Sequence, residues 1–188
     1  MLFKFCVCFL LILRRSLCGS TLFDGQLDWL LGKWRSLSDN HGRLSWTTIS
    51  DIDFAETLTI SPAPVSKLNG DSKYLQMTSQ AWHTGNGDHL YDMSGFITMD
   101  SSGNVTLITT GNNGYTVKET TDQIENRYMQ TEMADVMRSS TVRNIPIVKL
   151  VRQLRRIDEF LEHVILMQTQ TELTSTIVQH SRVLYKRI

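Results

Sequence analysis

A chain of 188 residues, 41% apolar and 20% charged, is long enough for one packed domain and too apolar for a disordered one. Nineteen basic residues balance nineteen acidic ones, with no basic run and no aromatic–basic stripe. That balance argues against a nucleic-acid partner and against an anionic membrane surface.

Residues 1–20 read as a signal peptide or another N-terminal targeting segment. Lys4 precedes the nine-residue apolar run Phe5–Leu13, and Arg14, Arg15 and the small residues Ser16, Cys18, Gly19 and Ser20 follow it. Such a run suits the hydrophobic region of a signal peptide and falls well short of the ~20 residues that span a bilayer as a helix. The expectation is a secreted or secretory-pathway protein. The two arginines after the run keep a cytoplasmic or N-terminally anchored protein as the alternative. Cys6, Cys8 and Cys18 are the chain's cysteines, and all lie in this segment. The remainder therefore offers no disulfide, zinc–thiolate site or cysteine nucleophile. Without Lys4, Arg14 and Arg15 it is mildly acidic. The sequon Asn104-Val105-Thr106 follows a Ser-Ser-Gly turn and becomes a glycan acceptor if the chain is exported.

From residue 22 to 188 no linker, repeat or low-complexity tract appears, which predicts one domain. Leu27-Asp28-Trp29-Leu30-Leu31 spaces apolar residues as a short helix does and stops at Gly32. After it the pattern is that of strands, punctuated by His41-Gly42, Asn69-Gly70, Gly85-Asn86-Gly87, Ser102-Gly103 and Asn112-Asn113-Gly114. Strands are predicted at Phe54–Ile60, Lys73–His83, His89–Met99, Val105–Thr109, Tyr115–Glu119, Tyr128–Met137, Val148–Ile157, Phe160–Thr169 and Ile177–Lys186. Asp158-Glu159 marks a tight hairpin, and Pro62 and Pro64 are assigned to a loop. Strands in regular succession after one short helix predict an all-β fold. The expected form is a roughly ten-stranded antiparallel up-and-down β-barrel, like lipocalins and fatty-acid-binding proteins. A β-sandwich and a flattened clam are the other architectures the pattern allows.

The familiar catalytic motifs are missing. There is no P-loop, HExxH, Gly-x-Ser-x-Gly or CxxC, and Gly85-Asn86-Gly87 lacks the third glycine of a dinucleotide fingerprint. Asp51 and Asp53 begin like a calcium loop without its later Gly and Glu. Nothing here makes an internal case for a hydrolase or a dehydrogenase.

Several stretches, in order, resemble the nitrobindin family, which includes the C-terminal barrel of a THAP-domain protein. Leu27-Asp28-Trp29-Leu30-Leu31-Gly32-Lys33-Trp34-Arg35 resembles the family's opening motif. Trp46-Thr47-Thr48-Ile49 stands where the family has Tyr-Pro-Thr-Ile, and Ser94-Gly95-Phe96-Ile97 resembles its Gly-Phe strand. Val148-Lys149 with Gln153-Leu154-Arg155-Arg156 resembles its Leu-Arg-Arg stretch, and Gln179 to Arg187 is similar to its closing Gln-His…Tyr-Lys-Lys. The resemblance implies a ten-stranded barrel holding haem b at one end. It implies His180 as the iron ligand, with Thr48 and Lys149 as haem contacts. It also implies isomerisation of peroxynitrite to nitrate at ferric haem, and reversible nitric oxide binding. Departures gather near the haem face. The family's later glycines are Ser36 and Ser38 here, its Tyr-Pro proline is Thr47, and a histidine it often carries is Tyr91, with His89 two residues earlier.

The residues by themselves say less. Strict alternation puts His180 with Val178, Arg182 and Leu184, and Ile177, Val183 and Tyr185 on the other face. Both faces are mixed, so the pattern leaves His180 open between iron ligand and plain hydrogen-bonding strand histidine; the closing motif selects the ligand. His163 shares a face with Leu161, Ile165 and Met167 and reads as a core histidine, with ligation as its competing role. Lys149 and Arg182 could each meet a haem propionate, Lys149 by the resemblance and Arg182 by spacing. Trp29 and Trp34 read as core. Two other readings stand beside the haem barrel: a non-catalytic carrier of an apolar ligand, and a diverged barrel that has lost haem.

Overall fold

The computed structural model describes residues 25–37, 41–42, 52–63, 73–140, 146–170 and 177–188. Thr48, Asn69-Gly70 and the segment 1–20 lie outside them. A single 3₁₀ turn, Asp28–Leu30, is followed by eleven strands: β1 Gly32–Ser36, β2 His41–Gly42, β3 Ile52–Pro62, β4 Lys73–His83, β5 His89–Met99, β6 Val105–Gly111, β7 Tyr115–Glu125, β8 Tyr128–Arg138, β9 Ile147–Ile157, β10 Phe160–Thr169 and β11 Val178–Arg187. Each of β3 to β11 is antiparallel to the next along the chain. β1 pairs with β11 on one side and β3 on the other. That double pairing closes ten strands into an up-and-down barrel, and two-residue β2 adds to the outer reach of β3. Among the described residues no helix is long and apolar enough to cross a membrane.

Period-two alternation builds the wall. In β6, Val105, Leu107 and Thr109 are buried and their neighbours are not; in β5, Tyr91, Met93, Gly95 and Ile97 are. The expected short helix is the 3₁₀ turn, and it plugs one end of the barrel. Leu27, Leu30 and Trp34 are fully buried there, and the Trp34 indole N–H donates to the Leu30 carbonyl at 3.0 Å. Burial of each such side chain contributes roughly 2–3 kcal/mol. Register fixes the two ends. The plugged end gathers Gly32, Ile60, Leu75, Val105 and the β9–β10 hairpin. The far end gathers Phe54, Ala81, Tyr91, Gly111, Tyr115, Ile147, Met167 and the start of β11.

The observed strands outrun the predicted ones, mainly because paired ends tolerate polar residues: β7 continues to Glu125 and turns at Asn126-Arg127, both at positive φ (45° and 65°). Pro62, assigned to a loop from sequence, ends β3 opposite Leu75. The next ladder bond comes from the Ala63 N–H to the Tyr74 carbonyl, so Pro62 stands in a pair that needs no donor from it. Asp158, at φ 51°, turns the hairpin expected between β9 and β10.

Gly95 on β5 stands opposite Thr109 on β6. A Cβ there would be driven into the Ile108 carbonyl and to 2.9 Å from the Thr109 Cα, both backbone atoms that cannot swing aside. Gly95→Ala is expected to cost ~1–3 kcal/mol or more, read as a lower urea midpoint at unchanged m-value.

Candidate functional site

The interior is not uniformly apolar. Glu119 on β7, Thr131 on β8, Arg152 on β9 and His163 on β10 occupy inward positions and are buried. Arg152 Nε and Nη2 donate to the Glu119 carboxylate at 2.9–3.1 Å, and the Thr131 hydroxyl donates to the same carboxylate at 2.6 Å. Arg152 Nη1 lies 3.0 Å from His163 Nε2. A guanidinium only donates, so Nε2 carries the lone pair and the ring is neutral with its proton on Nδ1. Burial, and then the Arg152 charge, hold the His163 pKa well below its ordinary value. Burial opposes the charge on Arg152, but the Glu119 carboxylate outweighs it and the pKa is raised.

A second polar group stands nearby. Ser79 donates to the Glu56 carboxyl, and the Glu56 N–H donates to the Ser36 hydroxyl at 2.8 Å. The Ser36 hydroxyl takes up a backbone donor just where the β1–β3 pairing ends. Burial raises the Glu56 pKa against the opposing pulls of Ser79, Tyr185 and Arg152. Tyr185 is fully buried, its ring 6.5 Å from that of His163, and its hydroxyl has no hydrogen-bond partner of normal geometry. Burial first, and the neighbouring Glu56 carboxyl second, push its pKa well up. Of these residues the sequence singles out His163 as a core histidine and Ser36 as a departure from the family pattern; Glu56, Ser79, Glu119, Thr131 and Arg152 it does not. The signal is in the pattern: Glu56 and Arg152 interrupt inward apolar series, between Phe54 and Leu58 and between Leu150 and Leu154, and Glu119 ends the inward apolar run Tyr115–Val117.

His180 lies in β11 at the end of the barrel opposite the plug. Ser181 pairs with Ile165 and Gln179 with Leu166, so His180 is an extra residue, a β-bulge. The bulge breaks the alternation, and His180 and Ser181 are both buried, His180 to 9% exposure. Below it Val183 and Tyr185 face the core, while Arg182 and Leu184 face out. Arg182, grouped with His180 by simple alternation, is instead on the outer wall, 60% exposed and ion-paired with Glu162. Arg155 holds that carboxylate from the other side. A second bulge, at Leu90, separates His89 from Tyr91: Tyr91 is buried inward, and His89 is exposed beside Asp92 and edge-on to Trp82. A third, at Val148, precedes Lys149, which is exposed on the outer face of β9 opposite Gln168. His163, with Nε2 committed to Arg152, is the satisfied core histidine. Thr48 lies outside the described residues. The sequon Asn104 is exposed in the β5–β6 turn, its side-chain amide donating to Asp100 at 3.0 Å.

The fit to a haem rests on this far end. A buried histidine, a borderline-soft nitrogen donor, stands at an end whose wall is set by Phe54, Met93, Tyr115, Ile147, Leu150 and Met167. Among the described residues no cluster of His, Cys, Asp and Glu offers a self-contained metal site. A buried imidazole among apolar side chains suits a macrocycle better than a bare ion.

A closed antiparallel barrel, plugged at one end and carrying a buried histidine at the other, defines a small ligand-binding β-barrel. The chain belongs to the family described as "THAP4-like, heme-binding beta-barrel domain", whose model matches residues 25–187. The crystal structure of Rv2717c from M. tuberculosis is similar in fold, with a TM-score of 0.67 at 21% identity, covering 86% of this chain and 94% of that one. No curated protein matches the chain in sequence.

Two outcomes follow from the polar interior. Arg152→Met strands the Glu119 carboxylate in the core and should cost about 3–5 kcal/mol in urea unfolding, with most of it recovered in Arg152→Met/Glu119→Leu. The second concerns pH. A carboxyl whose folded pKa is raised above 4.5 binds its proton more tightly in the native state. Its contribution is therefore complete at low pH and declines as pH rises from 4.5 through the raised value. Glu56→Gln cannot ionise, so its stability relative to the wild type should improve steadily with pH over that window. A constant difference would refute the assignment.

Proposed function

We propose that this barrel holds haem b with His180 as the protein's ligand to the iron. The observation that carries the reading is the bulge that buries His180 within an apolar barrel end. The family supports it, since its members are described as haem-binding barrels. The chain's own contributions are three. His180 supplies neutral imidazole nitrogen, and the bulge keeps it from turning outward with Arg182. Met167, Ile147, Leu150, Phe54 and Met93 supply an apolar chamber that excludes water. Lys149, exposed at the same end, and Thr48 would be haem contacts by family resemblance, and the Lys149 ammonium would pair with a propionate carboxylate.

Ferric haem, when bound, supplies a Lewis-acidic iron able to take nitric oxide and to promote rearrangement of peroxynitrite to nitrate. Peroxynitrite isomerase activity and nitric oxide binding are proposed on the resemblance. Such chemistry asks the chain for no general acid or base, and Glu119, Arg152 and His163 are tied up in their own network. Secretion is part of the same proposal, resting on residues 1–20 alone.

Haem titration tests the reading. The wild type should develop a Soret band at one equivalent. His180→Ala should lose the ligand-field features of imidazole coordination and bind at least tenfold more weakly, while His163→Gln keeps the wild-type spectrum. A Soret band unchanged in His180→Ala refutes the ligand assignment, and no band at all in the wild type refutes the function.

A further inference from the structure

The plugged end of the barrel carries a second feature, unrelated to His180. Arg127, Arg156 and Arg187 come together there from three separate segments. Arg127 sits at the tip of the β7–β8 turn at φ 65°, and its carbonyl accepts the Arg156 N–H at 2.9 Å. Arg187, the last residue of β11, pairs with Trp34 across the seam. The Arg156 guanidinium lies 4.5 Å from the centre of the Trp34 ring and that of Arg187 5.8 Å. Gly32 makes room for this: a Cβ there would come within 2.8 Å of Arg187 Nε.

We propose that Arg127, Arg156 and Arg187 form a binding site for an oxyanion of the phosphate or sulfate class.

The contrast with the other arginines carries the argument. Arg152 is neutralised by Glu119, and Arg155 and Arg182 by Glu162. Arg127, Arg156 and Arg187 make no ion pair with a carboxylate among the described residues. Arg156 spends its Nε on the Asp158 carbonyl at 2.6 Å, which leaves both Nη groups as donors. Burial, and then repulsion from Arg187 and Arg127, depress its pKa, with Glu159 opposing them. Stacking on Trp34 accounts for where Arg156 and Arg187 lie, since an indole face holds guanidinium planes without cancelling their charge. It does not account for Arg127, which the turn delivers to the same place. Two guanidiniums over one indole, with a third arginine on the adjoining turn, suit a tetrahedral oxyanion, which offers several acceptor oxygens and needs its charge compensated. Asp28, Glu125, Asp158 and Glu159 lie around the same end, and the chain is neutral overall. These acids favour a single compact anionic group over a long polyanion.

The site is tested on the full chain with inorganic pyrophosphate, followed by the NMR signals of the arginine Nε–H groups at fixed ionic strength. Saturable binding is expected, weakened about tenfold in Arg156→Gln and in Arg187→Gln. Arg127→Asn is the decisive variant. It stands on an exposed turn, keeps a residue that tolerates positive φ, and leaves the Trp34 stack intact, so a several-fold loss there cannot come from misfolding. Arg155→Gln, whose guanidinium is committed to Glu162, should bind as the wild type does. Co-sedimentation with phosphatidylglycerol vesicles separates the sources. Vesicle binding released by pyrophosphate assigns a lipid headgroup, and pyrophosphate binding without vesicle binding assigns a free oxyanion. Non-saturating shifts, or affinity unchanged in the Arg127→Asn/Arg156→Gln double variant, overturn the proposal. Failure here leaves the haem reading at the other end untouched.

Discussion

A five-residue strand, Gly32–Ser36, holds the barrel shut. β1 is the shortest of the ten wall strands, yet it alone supplies hydrogen bonds to both β11 and β3. An open ten-stranded sheet would present two long edges and expose its apolar face. With β1 in place those edges vanish and the interior becomes a closed volume. The same few residues carry the plug, because Trp34 points inward from the middle of β1 against Leu27 and Leu30. Closure and plugging are therefore one structural event, and the end opposite the plug is the one without such a seal.

A closed volume imposes a condition on every charge inside it. Arg152 is tolerable because Glu119 and His163 accept from it, while Thr131 donates a further hydrogen bond to the Glu119 carboxylate. Such a pair is seldom a net gain over apolar residues of equal volume. Its consequence here is directional: it ties up the lone pair of His163 and leaves His180 as the buried imidazole at the far end. Its hydrogen bonds also tie β7, β8, β9 and β10 together across the middle of the barrel. The two ends thus differ in kind, one apolar with a buried histidine, the other an indole seal with two guanidiniums over it.

The bulges decide what alternation alone leaves open. Each shifts the register by one residue, and one residue exchanges inside for outside. At His180 the shift buries a side chain that strict alternation would group with exposed Arg182. At Leu90 it separates His89 from Tyr91. Short-range patterns carry no trace of these insertions, because whether a residue is extra depends on the neighbouring strand.

The sequence by itself determined the all-β class, the near-complete set of strands, the hairpin at Asp158-Glu159, the aromatic core role of Trp34 and the family to which the chain belongs. These are local properties: side-chain period, turn chemistry and motif order are written in consecutive residues. Even the buried charges were legible in principle, since Glu56 and Arg152 interrupt inward apolar series and Glu119 ends one. Only the tertiary structure decided which partners those charges meet, which strand closes the sheet, which way His180, Arg182 and His89 face, and that three arginines distant in sequence share one end. Those outcomes depend on cross-strand register and on the geometry of closure, which bring together residues that no window along the chain contains.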